Sequence, residues 1–538
     1  MGNHPPTQRS QFDEGLGRKR HARLDPVVLI LLLGFLIRLY ACLDTAIINP
    51  DGTLYIHKAR VLYYGQPEQA RSCGPPYASV YPILIAWAYG LLHDWVAAAR
   101  SVSLFFGSLT LIPVYLLVRR FSTLLVSAVC VLSFALIPTL VDTSADAIKG
   151  PIAWFFVGFG LYLFVLQLEN DRRVYLFFSS VCYMVASLAR VDSILCLLVS
   201  CFYILFGGQK RKTQKLICFL APVVIAGLVG VSVTIALGID VMNDFRISEA
   251  VAKFSAFAGA YSALRITLAS LAEQHTGNLT FFLEKARQLV WFIGLGTLLT
   301  YLLSSFFYPF FFLFLLGLGG LREKLKSDRR IRYLAVLSCF CLVLLYFHLL
   351  ETWITETRFF VIFMLSTAIF LAFGIEKAVR FLQDRLHMSA RSGLSIVCLF
   401  ILAFGLAKNL KPREEDKSVF KQIGEFIAQR EGNGRVIPVF ASQRTLAWVS
   451  FYSNLHYRGA PCPMGEGDFE TIVGRNSEEF IRHLKRAGIK YFLWEEKPWR
   501  NVPFDFFEKM DPHEFKEVGR WTHVDTGRLI LLRLAQSG

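Results

Sequence analysis

Uninterrupted apolar runs recur from one end of this 538-residue chain almost to the other, each near the roughly 20 residues that cross a bilayer as a helix. In hydrocarbon every backbone N–H and C=O must be paired within the protein, so such runs can only be helices. Charged residues make up just 18% of the chain against 54% hydrophobic, with a mean hydropathy of +0.45, too little charge for a soluble domain of this size. The sequence therefore reads as an α-helical polytopic membrane protein. Eleven crossings thread through it, at about 25–44, 97–118, 122–140, 148–168, 174–189, 191–207, 216–238, 296–319, 333–350, 359–376 and 393–408.

The net charge of +16 sits in clusters between these runs: RKRHAR at 18–23, Arg119-Arg120, DRR at 171–173, QKRKTQK at 209–215, LREKLKSDRRIR at 321–332, and 376–391. With the N-terminus inside, all of them fall on the cytoplasmic side, as the positive-inside rule asks. The partner they imply is anionic membrane lipid. No basic stripe is interleaved with aromatics, which excludes a nucleic-acid surface. The first run resembles a lipoprotein signal ending at Cys42, but Arg38 interrupts it and Tyr40 suits the cleavage site poorly, so an uncleaved helix is expected.

The expected organisation is a cytoplasmic tail (1–24), a membrane domain (25–408) with outward loops at 45–96 and 239–290, and an extracytoplasmic domain (409–538). Segment 239–290 has the charge pattern of interfacial helices. The last domain alternates helical and strand patterns: EDKSVFKQIGEFIAQREG, GRVIPVF, SEEFIRHLKRAG, IKYFLWEE and RLILLRL. This predicts a small α/β fold of three strands. Most of the eleven cysteines lie in apolar runs as small buried hydrophobes. Cys73 and Cys462 both fall outside; two free thiols are the expectation, with a disulfide left open.

Ionisable residues gather at the outward ends of helices: Arg38, Arg100, the trio Asp142, Asp146 and Lys149, the pair Arg190 and Asp192, and His348, Glu351, Glu356 and Arg358. Each alone has an ordinary reading as a snorkelling or paired charge. Together they outline an outward cavity holding carboxylates and guanidinium groups. Arginine suits phosphate recognition, and a carboxylate beside a phosphate site suits group transfer. In NPDGTLYIHKARVLYYG (49–65), Asn49 fits an N-cap, Pro50 the first helical position and Asp51 the positive end of the helix dipole.

These segments resemble the polytopic GT-C glycosyltransferases of family 39 and its relatives, the protein O-mannosyltransferases and aminoarabinose lipid A transferases. The resemblance rests on IRLY (37–40), DGTLYIHKAR (51–60), CGPPYASVYPILIAW (73–87) and AARSVSLFFGSLTLIPVYLLVRRF (98–121). It continues in SLARVDSILCLL (187–198) and TETRFFVIFMLSTAIFLAFGIEKA (355–378). It implies transfer of a sugar from a polyprenyl-phosphate donor to a lipid, glycan or protein acceptor, at the outer face of a bacterial cytoplasmic membrane. Asp51 matches the family's first-loop catalytic acid and Asp146 a second outward acid, for which Asp142 is a competitor. Lys149, Arg190, Arg358 and Arg100 are the expected donor-phosphate ligands, and Tyr55, His57, Lys58, Tyr81 and Glu351 the expected lining. The family's Asp-Glu is Asp51-Gly52 here, and its Lys before Pro-Pro is missing or replaced by Arg71. No cofactor is certain, and a divalent metal is left open, at Asp51, Asp146 and His57 if the fold joins them. The rival reading is a transporter or lipid flippase, which would place charges or helix breaks near helix centres.

Overall fold

A computed structural model describes residues 26–66, 69, 73, 79–237, 247–464, 473, 476–500, 502, 504–508, 510 and 513–535. The N-terminal tail with its basic run 18–23, Arg71, and part of the segment 239–290 lie outside the described residues. Among those described, eight helices are long and apolar enough to cross a membrane, or nine if the bent pair Leu124–Leu136 and Pro138–Ala145 is one span. The shorter Val174–Ala189 and Val191–Phe206 follow the positions expected for two further crossings.

The structure departs from the expected spans in two places. The run at 296–319 is two helices, Asn278–Phe306 and Tyr308–Leu318, parted at Phe307, whose φ of 63° is rare for a bulky side chain. The first of these helices begins inside the segment expected to lie in the interface, after the helix Ile247–Gln274. The loop 45–96 is itself mostly helical, with Pro50–Tyr64 and Val80–Leu92 packed through Tyr55 and Tyr81, edge to face at 5.4 Å.

The bend of 55° between Leu124–Leu136 and Pro138–Ala145 has a local cause. Pro138 has no N–H for the Phe134 carbonyl, so the helix cannot continue. Arg38 from the first helix, Pro26–Asp44, satisfies the break: its guanidinium donates to the carbonyls of Ala135 at 3.0 Å and Phe134 at 3.4 Å. Asn409 donates to that of Leu136 at 2.8 Å. Arg38, expected at the end of its helix, is 1% exposed and does not snorkel.

One end of the bundle gathers basic loops, where Arg120 and Arg330 both reach Glu169. The other carries the C-terminal domain, a four-stranded sheet of order β1-β2-β4-β3 built from β1 (Val439–Phe440), β2 (Tyr491–Glu495), β3 (Phe515–His523) and β4 (Gly527–Leu534). β1 and β2 are parallel and the other pairs antiparallel. β3 was not expected from its sequence. Helices Ser418–Glu431 and Gln443–Ser453 join this sheet to the bundle.

Candidate functional site

The Pro50–Tyr64 helix starts as its sequence dictates: the Asn49 side chain accepts the Asp51 N–H at 3.0 Å, and Pro50 opens the first turn. This sets the half-exposed Asp51 carboxylate at the helix N-terminus. Arg358 Nη2 donates to Asp51 Oδ2 at 3.1 Å and to Glu356 Oε1 at 2.9 Å. Arg190 forms a fork with Asp192, at 3.0 and 2.8 Å. Both guanidinium groups lie over the Phe359 ring, at 5.1 Å for Arg190 and 5.7 Å for Arg358. Lys149 places its ammonium 5.5 Å from the centre of the Tyr55 ring. Burial, and then the nearby Arg190, lowers the Lys149 ammonium to about 8, while Asp51 and Asp192 oppose the shift. The structure thus brings together Asp51, Tyr55, Lys149, Arg190 and Arg358 from four separate parts of the chain. Lys58 stands close enough to act on the charge of Lys149.

Other expected site residues hold the frame instead. Asp146, in the turn between two spans, accepts the backbone N–H of Asn49 at 2.9 Å and of Ala147 at 2.7 Å. It anchors the start of the Asp51 helix rather than standing as a second free acid, and burial raises its carboxyl to about 6. Arg100 donates to the carbonyls of Cys42 at 3.3 Å and Thr45 at 2.8 Å, capping the end of the first helix. Tyr81 is fully buried and bonds Ala99 and Ser103. His57 faces the Pro461 carbonyl at 3.0 Å and that of Gln69 at 3.4 Å; burial lowers its pKa and favours the neutral ring. The metal set Asp51, Asp146 and His57 is therefore not assembled. Glu351 stays partly exposed in the last turn of Arg329–Thr352. Asp142 pairs with Arg413 at 2.8 Å.

Gly52 stands where the resemblance expects a Glu, and the packing around it requires a glycine. A Cβ there would lie 2.8 Å from Ala147 Cβ and 2.9 Å from the Ala147 carbonyl oxygen. The first turn of the helix rests directly on the Asp146–Ala147 turn, so a second carboxylate has no room beside Asp51.

The C-terminal domain is bolted to this helix. Arg60, 2% exposed, donates to the carbonyls of Gly459 at 2.6 Å and Asn454 at 3.2 Å, and to that of Tyr457. Trp448 Nε1 donates to the Ile48 carbonyl at 2.7 Å. Cys73 and Cys462, expected as free thiols, form a disulfide with Cα atoms 5.6 Å apart. The sequence reading singles out none of Arg60, Trp448 and Phe359, although Arg60 ends DGTLYIHKAR and Phe359 lies in TETRFFVIFMLSTAIFLAFGIEKA. A surface hollow of about 640 Å³ near Arg322 and Arg332 lies at the N-terminal end of the Arg329–Thr352 helix, which is about 36 Å long, and includes none of these residues.

No family model matches the sequence, and no curated protein matches it either. Solved structures do share its fold. ArnT from Cupriavidus metallidurans in the apo state superposes with a TM-score of 0.58 at 12% identity, covering 94% of this chain and 97% of that one. The same protein bound to undecaprenyl phosphate gives 0.58 at 12% identity, covering 95% and 98%. The likeness at this identity is one of fold: the chain is a multi-pass membrane protein that shares the fold of ArnT.

Proposed function

We propose that the chain is a glycosyltransferase that moves a sugar from a polyprenyl-phosphate donor to a hydroxyl of a lipid, glycan or protein acceptor at the outer face of the cytoplasmic membrane. The observation that carries this reading is the Asp51–Arg358 pair ringed by Arg190 and Lys149. A fold neighbour that binds undecaprenyl phosphate supports the donor class. The placement on the outer face is supported by the basic loops at the opposite end and by a disulfide at this one, since disulfides persist in oxidising compartments.

In the proposed reaction the three cations hold the donor phosphate and stabilise the charge it gains on leaving. At rest they are balanced by Asp51, Asp192 and Glu356. A phosphate arriving at Arg358 competes with Asp51 for the same Nη2 donor, which releases the carboxylate to take the acceptor's proton. Attack opposite the phosphate inverts the sugar carbon. Lys149 contributes while protonated, so donor affinity falls as pH rises through about 8.

The test is transfer from radiolabelled polyprenyl-phosphate sugars in proteoliposomes. Asp51→Asn is expected to reduce turnover by about 10²-fold or more with an unchanged melting curve. Unchanged transfer by that variant would remove Asp51 from the chemistry. No transfer by wild type from any donor would turn the reading toward a transporter or flippase.

A further inference from the structure

We propose that Asp416, His523 and Asp525 form a divalent-metal site of the zinc class, which fastens the C-terminal sheet to the linker that leaves the last membrane helix. Asp416 lies in the single turn Glu415–Lys417, between Ala390–Asn409 and Ser418–Glu431. His523 ends β3, and Asp525 sits in the turn before β4. One ligand atom from each of the three lies within 4.8 Å of the others.

The histidine supplies the second observation. It is 8% exposed, its ring packs on Phe420 with centroids 4.8 Å apart, and its buried Nε2 has no hydrogen-bond partner among the described residues. Nδ1 stands 3.2 Å from Thr526 Oγ1. A neutral imidazole that donates there keeps its lone pair on Nε2, which faces the Asp416 carboxylate in a cluster that Asp525 completes. A lone pair facing anions calls for a cation between them.

That cation is either a proton on the ring or a metal, and the geometry points to the metal. Nε2 and Asp416 Oδ2 are 3.5 Å apart. An imidazolium–carboxylate hydrogen bond closes to about 2.7–2.9 Å. Two ligands of one tetrahedral ion, each about 2.0–2.1 Å from it, stand about 3.3–3.4 Å apart. A proton also serves one carboxylate at a time, whereas a metal takes both. One imidazole with two carboxylates suits zinc better than magnesium or calcium, which favour oxygen alone. Both aspartates are exposed, so water completes the shell. Thr526, orienting the ring through Nδ1, plays the outer part of a ligand–histidine–metal relay.

The experiment uses the full chain in detergent, purified on a tag without histidine, stripped with chelator and titrated calorimetrically with Zn²⁺. One equivalent is expected to bind and to raise the melting temperature. Asp525→Asn, at an exposed position that leaves the fold intact, weakens binding at least tenfold, and His523→Gln abolishes it. Thr526→Val, which leaves every ligand in place, weakens it by about tenfold, an effect that stray surface binding would not show. No saturable uptake by folded wild type overturns the site, as does equal uptake by wild type and Asp525→Asn; Asp416 and His523 would then be an ion pair. Equal competition by Mg²⁺ or Ca²⁺ overturns the zinc-class assignment.

Discussion

Asp51 and Asp146 meet the same helix from two sides, yet their chemistry differs. Asp51 faces Arg358 with half its surface in solvent, whereas Asp146 holds two backbone N–H groups. An asparagine oxygen accepts those two bonds equally well. Asp146→Asn is therefore expected to keep most of its transfer activity, and Asp146→Ala to lose it, the reverse of what Asn does at position 51. The pH dependence follows from burial. The carboxyl titrates near 3.8 when unfolded and near 6 in the fold. Between those values the unfolded chain loses its proton first, so this group's contribution is present below pH 3.8 and is lost as pH rises through 6. Removing the charge should stabilise the protein by about 1–3 kcal/mol at pH 8 and little at pH 4, read as a melting shift in Asp146→Asn. The sequence brought out both acids because each lies at an outward helix end. It could not separate them, since an acid facing a cavity and an acid capping an amide look alike in one dimension.

At the scale of elements, the long helices were legible because hydrocarbon admits no other backbone, whereas their interruptions were not. The Pro138 break shows how an interruption is built and what holds it. Arg38→Met would leave the Phe134 and Ala135 carbonyls without a donor, at a cost of about 2–4 kcal/mol. Pro138→Ala restores an N–H for Phe134, so Arg38→Met should cost less in that background; a double-mutant cycle of melting temperatures measures the difference. Gly52→Ala offers a second test: the methyl would push the first helical turn off Ala147. A shift near 1 Å at Asp51 lowers turnover by about 10–100-fold, with donor binding less affected. β3 escaped notice for a comparable reason. Its register shifts between Glu517 and Gly519, and that irregularity breaks the alternation a strand would display. Phe307 ends a helix with a backbone angle that its residue type does not announce.

At the scale of the molecule, the α/β character of the C-terminal domain could be read from its pattern, but its attachment could not. In the sequence Arg60 is only the last cation of DGTLYIHKAR, and nothing local links Cys73 to a partner 389 residues away. Cys73→Ser, Cys462→Ser and the double variant should each lower stability by a similar amount, about 2–4 kcal/mol, and should loosen the Asp51 helix through its contacts at 454–462. Melting curves and transfer rates on the three variants check this; a double variant much worse than either single one would contradict it. The same bond changes what the chain is as a connected object. Almost the whole membrane domain lies within a covalent ring closed by Cys73 and Cys462. The ring can be sealed only after the last helix has been inserted and position 462 delivered to the same side as position 73, so the sealed form certifies completed topology. A single protease cut in any loop between them would leave one piece on a non-reducing gel and two on a reducing one.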